Sequence, residues 1–323
     1  MSTHAPAYEA PTELRITRRY EAPLALVWDA WTDDDQVRQW WGPRGFSLTT
    51  HAKELRPGGV WDYTMHGPDG TDWPNVTRYH VVEPQAALVY DHGASRADAA
   101  PLFRVAATFT AVEGETELDL RMILPSADAV ATTRELIRAA GGNTTWDRLA
   151  EFLARRQSQA EVFVLARSVA APIERVFDAW TTPERLAAWL PPTGMSMTFH
   201  QVDIRTGGAG VYTMGNGTVT LHSAIAYTRI GRPRLIVYMQ CFTDANGRLA
   251  RHPMAPTWPA YMQTTVRFAE EGPGRTRITI RWQPDPSATP DEIEAFVAAR
   301  ANMTAGWTGS LDKLDALLAE PSA

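Results

Sequence analysis

From Glu13 to Glu21 apolar and polar residues alternate, with Leu14, Ile16 and Tyr20 on one side, and this two-residue period predicts a strand. The period then changes. Leu24, Val27, Trp28 and Trp31 fall at helical spacing after Pro23, which suits the first turn of a helix because its missing N–H costs nothing there. Thr32 followed by Asp33–Asp35 reads as the N-cap and acidic first turn of a second short helix ending near Trp40, and Gly42-Pro43 stops it. Alternation returns over Phe46–Leu55, Val60–His66, Asn75–Val82, Ala87–His92, Leu102–Val112 and Thr116–Leu124. Pro57-Gly58-Gly59 and Glu113-Gly114-Glu115 are the turn signals between them. A long helix follows from about Ala127 to Arg155, with a break or kink at Gly141-Gly142.

The same order then repeats. A strand at 161–170, helices at 172–180 and 183–189, strands to about Trp282 and a helix from Thr289 to Ala319 make up the second half. Thr289 as N-cap, Pro290 at N1 and acids at 291, 292 and 294 mark that last helix start. Shifted by 149 residues, the chain matches itself without a gap from 14 to 65, with 20 of 52 positions identical. Pro23 lands on Pro172, Trp40 on Trp189, His51 on His200 and Tyr63 on Tyr212. So long a period is domain duplication, not a solenoid. The halves read as domains at 10–156 and 161–320. WDRLAEFLARR (146–156) matches LDKLDALLAEP (311–321) at an offset of 165, which places about 16 extra residues inside the second copy. The segment Asn246–Trp258, with Pro253, Pro256 and then Pro259, is where the copies diverge, and it reads as a lid or a contact.

Each copy is therefore α+β: a strand, two short helices, about six antiparallel strands and a long C-terminal helix. A sheet with one amphipathic helix on its face curls around it, and the gap left between them suits a ligand. Composition narrows the function classes. A net charge of −6, with the surplus acid on the first copy, leaves no basic field for nucleic acid or an anionic membrane. The single Cys241 allows no intrachain disulfide and sits in the apolar run Leu235–Phe242, as a buried small hydrophobe would. No leader pattern opens the chain and no apolar run approaches the ~18–20 residues of a membrane span, so the expected setting is the cytoplasm.

The strand–Pro–VWDAWT–WW–G element, the Arg-x-Gly-Gly turn at 56–59 and 205–208, and the terminal Trp307, Leu311, Leu314 pattern resemble the START-like (SRPBCC, Bet v 1-like) superfamily. PDGTDWPN at 68–75 and MAPTWP at 254–259 are similar to its bacterial branch related to the C-terminal domain of the Hsp90 ATPase activator, the AHSA1-like family. The resemblance implies two helix-grip domains, each a curved antiparallel sheet wrapped on a long C-terminal helix around a hydrophobic cavity. It implies as partner a small hydrophobic molecule or a chaperone. A third reading is a cavity enzyme of cyclase or hydrolase type.

Large aromatics supply most of a pocket's apolar wall, with O–H and N–H handles. The candidate ligand-binding residues are Trp40, His51, Trp61, Tyr63 and Tyr90 in the first copy, and Trp189, His200, Tyr212, Tyr238 and Trp258 in the second. Trp31 and Trp180 read as core. His51 and His200 are candidate polar anchors or general bases. Asp29 and Asp178 in DAWT read as surface or capping residues, and Arg56 and Arg205 as turn-stabilising. No zinc spacing, nucleophile elbow or carboxylate pair stands out, so no catalytic set, metal or cofactor is expected.

Overall fold

The computed structural model describes residues 12–93, 100–139 and 144–320. The Gly141-Gly142 break lies outside them. The chain divides into two compact units between Gln159 and Ala160.

In the first unit the strands are β1 (Glu13–Tyr20), β2 (Ser47–Lys53), β3 (Val60–His66), β4 (Asp72–Glu83), β5 (Ala87–Gly93), β6 (Phe103–Val112) and β7 (Glu115–Ile123). The helices are α1 (Leu24–Thr32), α2 (Asp34–Val37), α3 (Ala127–Ala139) and α4 (Thr144–Ser158). All strand pairs are antiparallel in the order β1-β7-β6-β5-β4-β3-β2, so the first strand closes against the last. The inner face carries Ile16, Trp61, Tyr63, Tyr79, Tyr90, Leu118 and Leu120, and α1 and α4 bury Trp28, Trp31, Trp146, Leu149 and Phe152 with them. Pro23 caps α1 from outside, with extended backbone, and does not enter its first turn. The cap of α2 is Asp33, whose carboxylate accepts from Gln36 N at 3.0 Å, while the Thr32 hydroxyl donates back to Trp28 O.

Arg148 on α4 ties the helix to the loop after α2. One guanidinium nitrogen donates to the carbonyls of Trp41, Gly42, Pro43 and Phe46, and the other to Gln39 O. Those carbonyls belong to the irregular segment between α2 and β2, whose backbone lacks a helix or sheet ladder to pair it. The turn before β3 needs both its glycines. Gly58 holds φ +77°, and a Cβ on Gly59 would sit 2.2 Å from Glu54 O. Arg56 pairs with Glu54 beside it, a turn-stabilising contact.

The second unit repeats this plan with β8 (Phe163–Val169), β9 (Ser196–Val202), β10 (Ala209–Gly215), β11 (Thr220–Gly231), β12 (Leu235–Thr243), β13 (Met262–Glu270) and β14 (Thr276–Pro284). Its helices are α5 (Ile173–Thr181), α6 (Pro183–Trp189), α7 (Pro290–Ala298) and α8 (Arg300–Ala319). The strand order β8-β14-β13-β12-β11-β10-β9 matches the first sheet position for position. The Thr116 hydroxyl donates to Ala22 O at 2.8 Å in one copy, and the Thr276 hydroxyl to Ala171 O at 2.7 Å in the other. Thr289 closes a capping box with Glu292, as its sequence signals. The single helix expected from there to Ala319 is instead two, divided at Ala299, where ψ has relaxed to −4°.

The structure corrects the alignment of the C-terminal helices. Trp146 stacks on Trp31 at 5.4 Å and Trp307 stacks on Trp180 at 6.1 Å, so Trp146 corresponds to Trp307, an offset of 161 and not 165. The error is four residues, about one helical turn. A slip of one turn keeps an apolar face in register with itself, which is why the sequences also match there. The second copy's insertion is correspondingly shorter, and it falls between β12 and β13.

Candidate functional site

The space between the second sheet and the short helices α5 and α6, rather than the long helix expected from sequence, is lined by Trp180 from α5, Leu186 from α6, Leu190 after it, Met197 and Phe199 from β9, Tyr212 from β10, Ile225 and Tyr227 from β11, and Ile236, Tyr238 and Gln240 from β12. It encloses a void of about 20 Å³. Strand alternation brings these strand residues to one face, because Tyr212 faces Ser223, Tyr227 faces Tyr238, and every second residue follows them inward.

The first copy fills the corresponding space with indoles. Trp41 and Trp61 meet edge to face at 5.4 Å, and Tyr63 stacks on Trp61 at 4.1 Å. The 149-residue offset puts Leu190 and Gly210 where Trp41 and Trp61 stand. Part of the lost volume returns through Phe199 in place of Thr50 and Ile225 in place of Thr77. The swap conserves volume incompletely, and the void is what remains.

The wall of the void is apolar with a few polar handles. Tyr227 is 3% exposed and its hydroxyl has no hydrogen-bond partner among the described residues. Trp180 is likewise 3% exposed, and among the described residues its Nε1–H and those of neighbouring Trp307 and Trp282 have no acceptor. Burial pushes the Tyr212, Tyr227 and Tyr238 phenols above their ordinary range, so they remain protonated donors. The lining holds no carboxylate, imidazole or amine, and its polar groups are phenol and indole donors and the Gln240 amide.

The sequence-nominated residues divide. Tyr212 and Tyr238 line the void. Trp40 and Trp189 are fully buried, but each donates its Nε1–H to a helix carbonyl at 2.9 Å, Ala30 O and Ala179 O respectively, and so pins the short helices together. Trp61 donates to Thr50 Oγ1 at 3.1 Å and carries the Lys53 ammonium over its ring at 4.6 Å. Burial lowers the pKa of that lysine to about 8. Tyr63 and Tyr90 are core residues of the first sheet's inner face. Trp258 packs against Phe296 at 5.9 Å, away from the void.

The two histidines are placed otherwise than expected. In β2 the register passes from Thr50↔Tyr63 to Ala52↔Asp62, and in β9 from Phe199↔Tyr212 to Gln201↔Val211, so His51 and His200 are the extra residues of two β-bulges. Alternation from Leu48 and Met197 already puts each imidazole on the solvent side, where it bonds Thr64 Oγ1 at 2.9 Å or Thr213 Oγ1 at 3.1 Å, and the bulge keeps Ala52 and Gln201 on that side too. Neither reaches the interior as an anchor or base. Trp180, read from sequence as core, is a buried core residue and also lines the void. Tyr227 is not among the sequence candidates, although its match to Tyr79 and its cross-strand pairing with Tyr238 put it on the same face. Asp29 is exposed, and Asp178 pairs with Arg232 at 2.6 Å on the surface.

Comparison with known proteins agrees with this plan. The family described as activator of Hsp90 ATPase homolog 1-like protein matches residues 21–154 and again 170–319. Similar solved structures include a protein of Chromobacterium violaceum (28% identity, 50% of this chain and 98% of that one, TM-score 0.40). Another is a protein of Nitrosomonas europaea (22% identity, 47% and 99%, TM-score 0.43). The di-domain ARO/CYC protein BexL, from the BE-7585A biosynthetic pathway, spans both copies (13% identity, 96% and 99%, TM-score 0.38). No curated protein sequence matches the chain. With the family pattern present twice over most of its length, the chain belongs to the activator of Hsp90 ATPase homolog 1-like family, as a tandem of two helix-grip domains.

Proposed function

We propose that the second domain binds a small, mainly apolar molecule carrying a hydrogen-bond acceptor, held between its sheet and the short helices α5 and α6, and that the first domain is a packed homologue. The observation that supports this reading is the pair of buried, unpartnered donors on the void, the Tyr227 hydroxyl and Trp180 Nε1–H. A buried donor without an acceptor costs about 1–3 kcal/mol, and an acceptor on a ligand offsets that cost. A void of about 20 Å³ admits a guest the size of one water molecule. A larger guest must displace flexible side chains such as Leu190 and Met197, and Met in particular repacks at low cost. The cytoplasm is the compartment in which we place this binding.

The test is native mass spectrometry of the full chain purified from its own host, with organic extraction of whatever stays bound. One apolar molecule per chain is expected, and Tyr227→Phe is expected to weaken its rebinding about five- to tenfold. An empty chain that brings down a chaperone instead would replace this reading with the chaperone-partner one.

A further inference from the structure

The outer face of the second sheet carries a recess that the first sheet lacks the composition to form. It is lined by Gln201, Ala209, Val211, Ala224, Ala226, Met239, Cys241 and Tyr261, with Gly210, Ile225 and Gln240 between them as floor, and has a volume of about 350 Å³. The outer face of an antiparallel sheet normally meets water with polar side chains. The first copy follows that rule. There Asp62 stands opposite Val76 and Arg78 opposite Asp91, and Asp91 is bound by Arg104 and His80, each at 2.7 Å. The same register positions in the second copy are Val211 opposite Ala224 and Ala226 opposite Met239. Three charged residues have become Val, Ala and Met on a face that solvent reaches.

The substitution also changes shape. Ala209, Ala224 and Ala226 leave the strands bare between the taller Val211, Met239 and Tyr261, so a surface that should bulge is concave. Val211 and Tyr261 are 38% and 41% exposed. Around the recess the outer-face positions turn polar again, with His200, Thr213, Thr228 and Thr265. A stable protein interface needs about 800 Å² from each partner, far more than one such recess supplies. Its volume lies in the ~300–1,000 Å³ range of small-molecule sites. Long apolar walls over a flat backbone floor suit a ring lying parallel to the strands, and the Gln201 amide offers one polar contact.

We propose that this recess is a second binding site, for a flat, uncharged molecule of one or two fused aromatic rings with one polar edge. It lies on the opposite side of the sheet from the Tyr227 void and stands independently of the proposal made for that void. Cys241, the only cysteine of the chain, lines it and reports occupancy.

The test uses the full chain, N-phenyl-1-naphthylamine as probe, and iodoacetamide alkylation of Cys241 followed by intact mass. The reaction is run at mildly alkaline pH, because burial raises the thiol's pKa. With the probe at ten times its Kd, alkylation is expected to slow about tenfold. Ala226→Arg, which restores the first copy's residue, is expected to remove that protection, while Tyr227→Phe leaves it unchanged. Met239→Asp serves as the second restoring variant where Ala226→Arg does not fold. Probe binding that leaves the alkylation rate unchanged, or protection that survives both restoring variants, overturns the proposal. Protection lost in Tyr227→Phe and kept in Ala226→Arg places the probe in the interior and overturns it equally.

Discussion

Trp307 lies stacked on Trp180, ring centroids 6.1 Å apart and planes 20° from parallel, as Trp146 lies on Trp31 at 5.4 Å and 22°. In each domain one contact joins the C-terminal helix to the first short helix, and both rings of each pair are largely buried. Trp31→Ala and Trp180→Ala are each expected to cost about 3–5 kcal/mol. Urea unfolding followed by circular dichroism measures this. A loss below about 1 kcal/mol in either variant would show that the pair does not hold its domain together.

Arg148 holds five carbonyls of the 39–46 segment with one side chain. Burial lowers its pKa to about 10, still charged at neutral pH. Arg148→Met is expected to destabilise the chain by about 1.5–3 kcal/mol or more, since hydrogen bonds to a charged group are lost while the carbonyls stay partly buried. Arg148→Lys is expected to recover only part, because an ammonium does not reproduce the planar fork. Equal stability of the Lys variant and the wild type, by the same urea titration, would contradict that role.

His92 stacks on Phe103 at 4.7 Å, and burial lowers its pKa to about 4. The unfolded chain, with an ordinary histidine near pH 6.5, therefore takes up the proton first as pH falls. The stability from keeping this imidazole neutral is complete above about pH 6.5 and is lost as pH falls from there through about 4, for a total of up to about 3 kcal/mol. The second copy carries Gln240 at this position. His92→Gln is expected to flatten the fall in thermal midpoint between pH 7 and 4.5, and an unchanged fall would place the sensitivity elsewhere.

Much of this architecture is legible in the chain because its signals are local and appear twice. Alternation marks the strands, Pro172 and Thr289 mark helix starts, and the Gly58-Gly59 and Gly207-Gly208 turns recur at fixed offset. The site is less legible, because it depends on which face a residue takes. Counting by twos from Leu48 and Met197 puts His51 and His200 on the face away from the core, whereas the bulge that also turns Ala52 and Gln201 outward has no composition signal. Trp40 and Trp189 show the same limit, since their N–H groups are spent on Ala30 and Ala179. Tyr227 and the loss of Trp61 to Gly210 become meaningful only when the register sets one copy beside the other.

That internal substitution suggests a plug. Leu190→Trp, which restores the first copy's Trp41 at the edge of the void, is expected to fill the space and to cost about 1–3 kcal/mol through overpacking. A variant more stable than the wild type would mean that the void is larger in solution than about 20 Å³.

The most direct measurement is native mass spectrometry of the wild-type chain and the Leu190→Trp variant, both purified from the protein's own host. One apolar small molecule per chain is expected on the wild type and none on the plugged variant. The same molecule on both proteins, or on neither, would contradict binding in the interior of the second domain.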